Sequence, residues 1–154
     1  MSRRNQIKLS HEEQRELLES ERVVVVSSIG PRGWPHSMPL WYVLRGAEIW
    51  IYTYAKSQKV KNLERDPRAT LLVETGHEYG ELRGVQIEAE AEIHRDHERV
   101  FEVGKELTLR YSEGASLEAD AAKALQAQAR KRVAVRFEPR WVASWDHRKL
   151  GGAY

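Results

Sequence analysis

From Val85 to Ile93 the chain alternates strictly: Val85, Ile87, Ala89, Ala91 and Ile93 are apolar, with Gln86, Glu88, Glu90 and Glu92 between them. A period of two is that of a strand, so the segment predicts a strand with one dry and one wet face. Val133, Val135 and Phe137 alternate with Arg132, Ala134 and Arg136 in the same way, and Arg140 to Trp145 predicts a further strand. Arg22 to Ile29 includes four consecutive valines and is apolar on both faces, as in a strand covered on both sides. Trp34 to Leu44 predicts a strand that turns at an Arg45-Gly46 hairpin into another, Ala47 to Tyr54, where Ile49 to Tyr54 are β-formers. Arg68 to Thr75 predicts one more strand, and a charged loop from Gly76 to Gly84 leads into the alternating segment.

Helical spacing is confined to four places. Ser10 followed by Glu13 is a capping box that opens a short helix through Leu17 and Leu18. Val60 and Leu63 share one face of a second, which Asp66-Pro67 stops. Val100, Phe101, Gly104, Leu107 and Tyr111 recur at the period of a third, and an Ala-rich fourth runs from Leu117 to Lys131. Five strands joined by hairpins and one small helix, two helices, then two returning strands predict a mainly β (α+β) fold. Its form is a six- to seven-stranded antiparallel split β-barrel with short flanking helices outside. Too few crossover helices separate the strands for a doubly wound sheet. The length of 154 residues fits a single domain spanning 1–154.

Composition narrows the chemistry. Cysteine is absent, which excludes disulfides, thiolate metal sites and a Cys nucleophile and fits a reducing, cytoplasmic setting. A net charge of +2 does not argue for nucleic acid. The polar start and the lack of any run of about 20 apolar residues predict neither a signal peptide nor a membrane span. Five Trp and six Tyr against two Phe provide flat surfaces with polar edges, suited to a planar ligand or a subunit interface.

Three segments carry candidate chemistry. At the end of the third strand, Thr53 is followed by Lys56, Ser57 and Lys59 at the start of a helix. Backbone N–H groups, a hydroxyl and two ammonium groups at one point are what a phosphate requires; a solvated basic helix end has the same composition. In Ser37-Met38-Pro39-Leu40, Pro39 and the preceding Pro35 remove ladder donors, so one side of that strand is unpaired. Such an edge can serve a planar heterocycle or simply face solvent. The tail, Ser144-Trp145-Asp146-His147-Arg148-Lys149, holds the residue types of a hydrolase triad, but neighbours on a strand point to opposite faces. No metal site is expected, because His94 and His97 straddle a strand-to-helix junction. Arg130, Lys131, Arg132, Arg136 and Arg140 read as a solvated or anion-facing surface rather than a nucleic-acid patch.

In this order the motifs resemble the pyridoxamine 5'-phosphate oxidase-like split β-barrel superfamily, in its flavin- and deazaflavin-dependent branches. They are Gly33-x-Pro35-His36-x-x-Pro39-Leu40-Trp41-Tyr42, Ile49-Trp-Ile-Tyr-Thr53 with Ser57-x-Lys59, Asn62-Leu63-x-x-Asp66-Pro67-Arg68, Leu82-Arg83-Gly84-Val85 and the tail. The tail and middle segment are most similar to the branch that uses coenzyme F-420. The resemblance implies that Thr53, Lys56, Ser57 and Lys59 hold a cofactor phosphate. It implies that Ser37, Met38, Pro39 and Leu40 line the ring and that Gln86 faces the cofactor. It further implies a homodimer with the cofactor at the subunit interface, where Trp145, His147 and Arg148 come from the second subunit. The implied cofactor is F-420, with FMN as the alternative, and the implied activity is hydride transfer to or from an unsaturated small molecule. No catalytic side chain is assigned. The alternatives are a non-catalytic flavin or deazaflavin carrier and an FMN-dependent pyridoxamine-phosphate-oxidase-like enzyme. One departure is that FMN oxidases carry cations on the strand before Thr53, where this chain has Glu48, Ile49 and Trp50 with Arg45 as the only nearby cation.

Overall fold

The computed structural model of the chain describes residues 2–113 and 117–152. Among them, seven strands form one antiparallel sheet: β1 Val24–Ile29, β2 Pro35–Leu40, β3 Val43–Arg45, β4 Glu48–Tyr54, β5 Arg68–Thr75, β6 Arg83–His94 and β7 Arg132–Asp146. The helices are α1 Arg3–Gln6, α2 His11–Ser20, α3 Gln58–Arg65, α4 His97–Tyr111 and α5 Ala119–Ala129, with 3-10 turns at Tyr79–Glu81 and His147–Leu150.

The strand order β2-β1-β5-β6-β7-β4-β3 puts β2 and β3 on opposite edges of the sheet. Only Trp41 and Tyr42 separate them along the chain, and three Cα steps span at most about 11 Å. The two edges must therefore meet, and the sheet curls into the expected split barrel. Inside lie Val24, Val26, Leu71, Val85, Ile87 and Phe137, closed at one end by Val60 and Leu63 of α3 and at another by Leu17 and Leu18 of α2. A second apolar cluster lies outside, where Val100 and Val103 of α4 and Leu125 of α5 cover Trp50 and Tyr52. Gly104 allows this approach, since a Cβ there would sit 2.9 Å from the Tyr52 ring.

Two expected elements divide differently. The single strand expected over Trp34 to Leu44 is two, because Leu40 pairs with Val24 of β1 whereas Val43 pairs with Trp50 of β4. Which strand lies beside each half decides the change of partner, and the local sequence does not carry that. Conversely, the last two expected strands are one, β7, whose pairing with β6 shifts register between Glu88 and Ala89. Ala89 faces Pro139 and Glu88 faces Trp141, so Arg140 is the extra residue of a bulge that accommodates a proline without a ladder donor. The Ala-rich helix is also shorter than expected, ending at Ala129 rather than Lys131.

The link between the two edges is anchored. Tyr42 is fully buried and its hydroxyl donates to the carbonyls of Leu18 at 2.5 Å and Glu21 at 3.0 Å. Burial pushes its phenol up to about 12 despite the neighbouring Arg110 guanidinium. Tyr111 of α4 accepts a hydrogen bond from the Tyr42 amide, and its ring stacks on Trp41 at 4.4 Å.

Candidate functional site

A strand-to-helix junction joins β4 and α3 where the sequence places one, and its cap differs from an ordinary one. Thr53 is buried at the end of β4, and Lys59 Nζ donates to its Oγ1 at 3.0 Å. Ser57 stands at the N-cap of α3, but its hydroxyl makes no capping bond. Instead Ser57 Oγ is buried with no hydrogen-bond partner among the described residues. Lys56 is exposed beside it.

A residue that the sequence places only in a solvated or anion-facing surface completes the cluster. Arg132 opens β7 opposite Tyr54 in the β4–β7 register. Its guanidinium lies over the rings of Tyr54 at 4.0 Å and Tyr52 at 4.9 Å, and its Nε is buried without a partner. Burial lowers the pKa of Lys59, and the positive charge of Arg132 lowers it further. Two half-buried cations that disfavour one another, beside an unpartnered hydroxyl and an unpartnered N–H, form an arrangement that an anion would relieve. Arg45 is thus not the only cation near this region: it is occupied by Glu106 at 2.6 Å, and Glu48 is held by Arg136 at 2.6 Å. The signal for Arg132 was its register with Tyr54, which local sequence does not express.

Ser37, Met38, Pro39 and Leu40 lie together on β2, which pairs only with β1 and leaves its other side unpaired, as the prolines required. Ser37 Oγ meets Ser27 Oγ at 2.8 Å, while Met38 and Pro39 are exposed. Gln86 sits on the outer sheet face in the row Pro39, Val25, Leu72, Gln86, Ala143, three strand spacings or about 14 Å from Pro39.

Trp145, His147 and Arg148 form a separate group at the far end of β7 from Arg132. The Trp145 ring lies against Gly84, where a Cβ would stand 2.9 Å from its Cε2. His147 Nδ1 is 2.9 Å from the Tyr79 carbonyl, which can only accept, so Nδ1 carries the proton. Arg148 is bidentate to the buried Asp146 at 2.6 and 2.8 Å, which holds that carboxyl below the usual range. Ser144 Oγ accepts from the Leu9 amide at 3.1 Å, so Ser144, Asp146 and His147 have separate partners and no triad exists. Among the described residues no group of three or more His, Cys, Asp or Glu could hold a metal. No helix of those residues is long and apolar enough to cross a membrane.

This split barrel, with a cationic corner beside a strand-to-helix turn, is one of a known class. Residues 10–146 match the model of the pyridoxamine 5'-phosphate oxidase family, and the chain belongs to that family. No curated protein matches the chain. Among solved structures it is similar to the conserved hypothetical protein Rv2991 from Mycobacterium tuberculosis, with 39% identity, a TM-score of 0.89 and coverage of 100% of this chain and 95% of that one. It also resembles an F420 reductase at 20% identity and TM-score 0.66, covering 87% of this chain and 98% of that one. HutZ, the haem storage protein from Vibrio cholerae, matches at 14% identity and TM-score 0.67 over 88% and 96% of the two chains. The last two likenesses bear on fold alone.

Proposed function

We propose that the chain is an oxidoreductase that binds coenzyme F-420, with FMN as the alternative, and passes a hydride between it and an unsaturated small molecule. The observation that carries this reading is the unsatisfied cationic corner of Ser57, Lys59 and Arg132. The residues fit the group: Lys59 and Arg132 supply charge, Ser57 Oγ a free donor, and the unpaired side of β2 backbone groups for the edge of a planar ring. When bound, the cofactor supplies hydride chemistry at C5 of a deazaflavin or N5 of a flavin. The protein's part is to fix the phosphate, orient the ring along Ser37 to Leu40 and cover it from water. No side chain is assigned as acid or base, so turnover separates this reading from a carrier with the same site.

Cofactor choice follows from charge beyond the corner. Lys56, Arg130 and Lys131 are exposed around it, and an anionic tail longer than a single phosphate can reach them. The deazaflavin is expected to bind at least about tenfold, or about 1.4 kcal/mol, more tightly than FMN at low salt. The difference should shrink as salt rises. Titration by fluorescence quenching at two ionic strengths checks this; a preference for FMN at both would restore the oxidase reading.

The second copy also belongs to the proposal. Gln86 and Trp145 stand far along the sheet from Lys59, so in one chain the two groups do not converge on one ligand. The outer face between them exposes Val23 and Trp141, an apolar surface in keeping with a two-fold partner. Sedimentation should give a dimer, and a monomer at working concentrations would contradict this arrangement. Because Trp145 and Asp146 are part of β7, and Ser144 and Asp146 of that strand hold Leu9 and Ile7, point substitution is a better probe of the tail than truncation.

A further inference from the structure

The barrel has a second opening that the proposed cofactor site does not use. β4 pairs with β7 only as far as Phe137, so from Glu138 onward that edge of β7 has no strand beside it among the described residues. The far end of the gap is bridged by the N-terminal segment, where Asp146 N donates to the Ile7 carbonyl and Leu9 N to Ser144 Oγ. Between this bridge and the β3–β4 hairpin a cavity of about 990 Å³ remains, roofed by α2 and floored by Val85 and Ile87. Its size is within the range of small-molecule sites.

The lining selects the occupant. The floor is aliphatic, with Leu44 and Val142 joining it and the exposed Ala47 at the rim; Ser10, His11 and Gln14 add polar groups on the α2 side, and among the described residues no Phe, Tyr or Trp lines the cavity. Flexible chains suit the aliphatic floor, whereas a planar ring would find no Phe, Tyr or Trp to stack on. At the mouth stand the cations Lys8 and Arg15 against one carboxylate, Glu19, which Arg15 meets loosely at 3.9 Å. The Lys8 carbonyl accepts from Lys149, but its own ammonium has no partner among the described residues. We infer that this cavity binds a long-chain carboxylate, its chain inside the barrel gap and its head between Lys8 and Arg15. The inference does not depend on the proposed cofactor.

Dansyl-undecanoic acid and its methyl ester are the probes. The acid should bind saturably, one per chain, with a blue-shifted emission. Ala47→Trp, which fills the mouth, should weaken the acid by about tenfold or more, since the indole displaces chain methylenes from apolar surroundings. The double reversal Lys8→Glu/Arg15→Glu lies on exposed positions and keeps the test valid if the tryptophan variant fails to fold. It should weaken the acid about tenfold while leaving the ester unchanged. Added FMN should not displace the probe. Non-saturable binding, equal loss for acid and ester, indifference to Ala47→Trp in a folded protein, or displacement by FMN would each overturn the assignment.

Discussion

Replacing Lys59 and Arg132 together by alanine is expected to weaken cofactor binding by about 2–4 kcal/mol, with little change in fold. The magnitude follows from charge-assisted bonds of about 1.5–3 kcal/mol each, reduced by the solvent that still reaches both groups. Alanine at Lys61, on the outward face of α3, should cost far less. Lys59 also sets the pH dependence. An anion binds the ammonium and not the amine, so affinity is full at low pH and falls as pH rises through the Lys59 pKa. That pKa lies below the ordinary lysine value because of burial and then Arg132, so the alkaline loss should begin earlier than for an exposed lysine. The limb should vanish in Lys59→Ala. Titrations across neutral to alkaline pH, wild type against variant, give both numbers. Equal affinity of wild type and double variant would remove this corner from the site.

The largest expected effect on stability is at Arg110. Its Nη1 donates to the Tyr42 carbonyl at 2.5 Å, and its Nη2 lies 2.9 to 3.1 Å from the carbonyls of Leu18, Glu19 and Glu21. These are end groups of α2, which lack helical partners, together with the link that closes the barrel. The guanidinium also packs on the Tyr42 ring at 4.3 Å. Arg110→Ala leaves those acceptors underprovided at one stroke and should cost about 2–4 kcal/mol, since each unmet buried group costs about 1–3 and one fork serves them all. Arg110→Lys keeps the charge but loses the planar fork, so it should recover only part of the loss. Urea unfolding would read both; a change below about 0.5 kcal/mol for the alanine variant would show the clamp to be dispensable.

What could be read from residues and what could not divides along physical lines. The alternation in β6, the capping box of α2 and the Val60/Leu63 face of α3 are local patterns, and each appears where its period places it. Pro39 and Pro35 correctly implied an unpaired strand side, because a missing N–H is a local fact with a long-range consequence. The change of partner at Trp41-Tyr42 and the continuity of β7 through Pro139 depend on which strand lies alongside, and a single sequence does not carry that. Arg132 was missed for the same reason. Its meeting with Tyr54 arises from pairing between residues far apart in the chain. The unbonded Ser57 hydroxyl is also a product of packing, since by sequence alone it reads as an ordinary helix cap.

The central claim is that a cofactor phosphate sits between Ser57, Lys59 and Arg132. Its most direct test compares coenzyme F-420 with the same deazaflavin core lacking the phosphate and tail, each titrated into wild type and into Lys59→Ala/Arg132→Ala. Wild type should prefer the phosphorylated form by at least about thirtyfold, or about 2 kcal/mol, and the double variant should lose most of that preference. Equal affinity for the two ligands in wild type, or a preference that survives the double substitution, would contradict it.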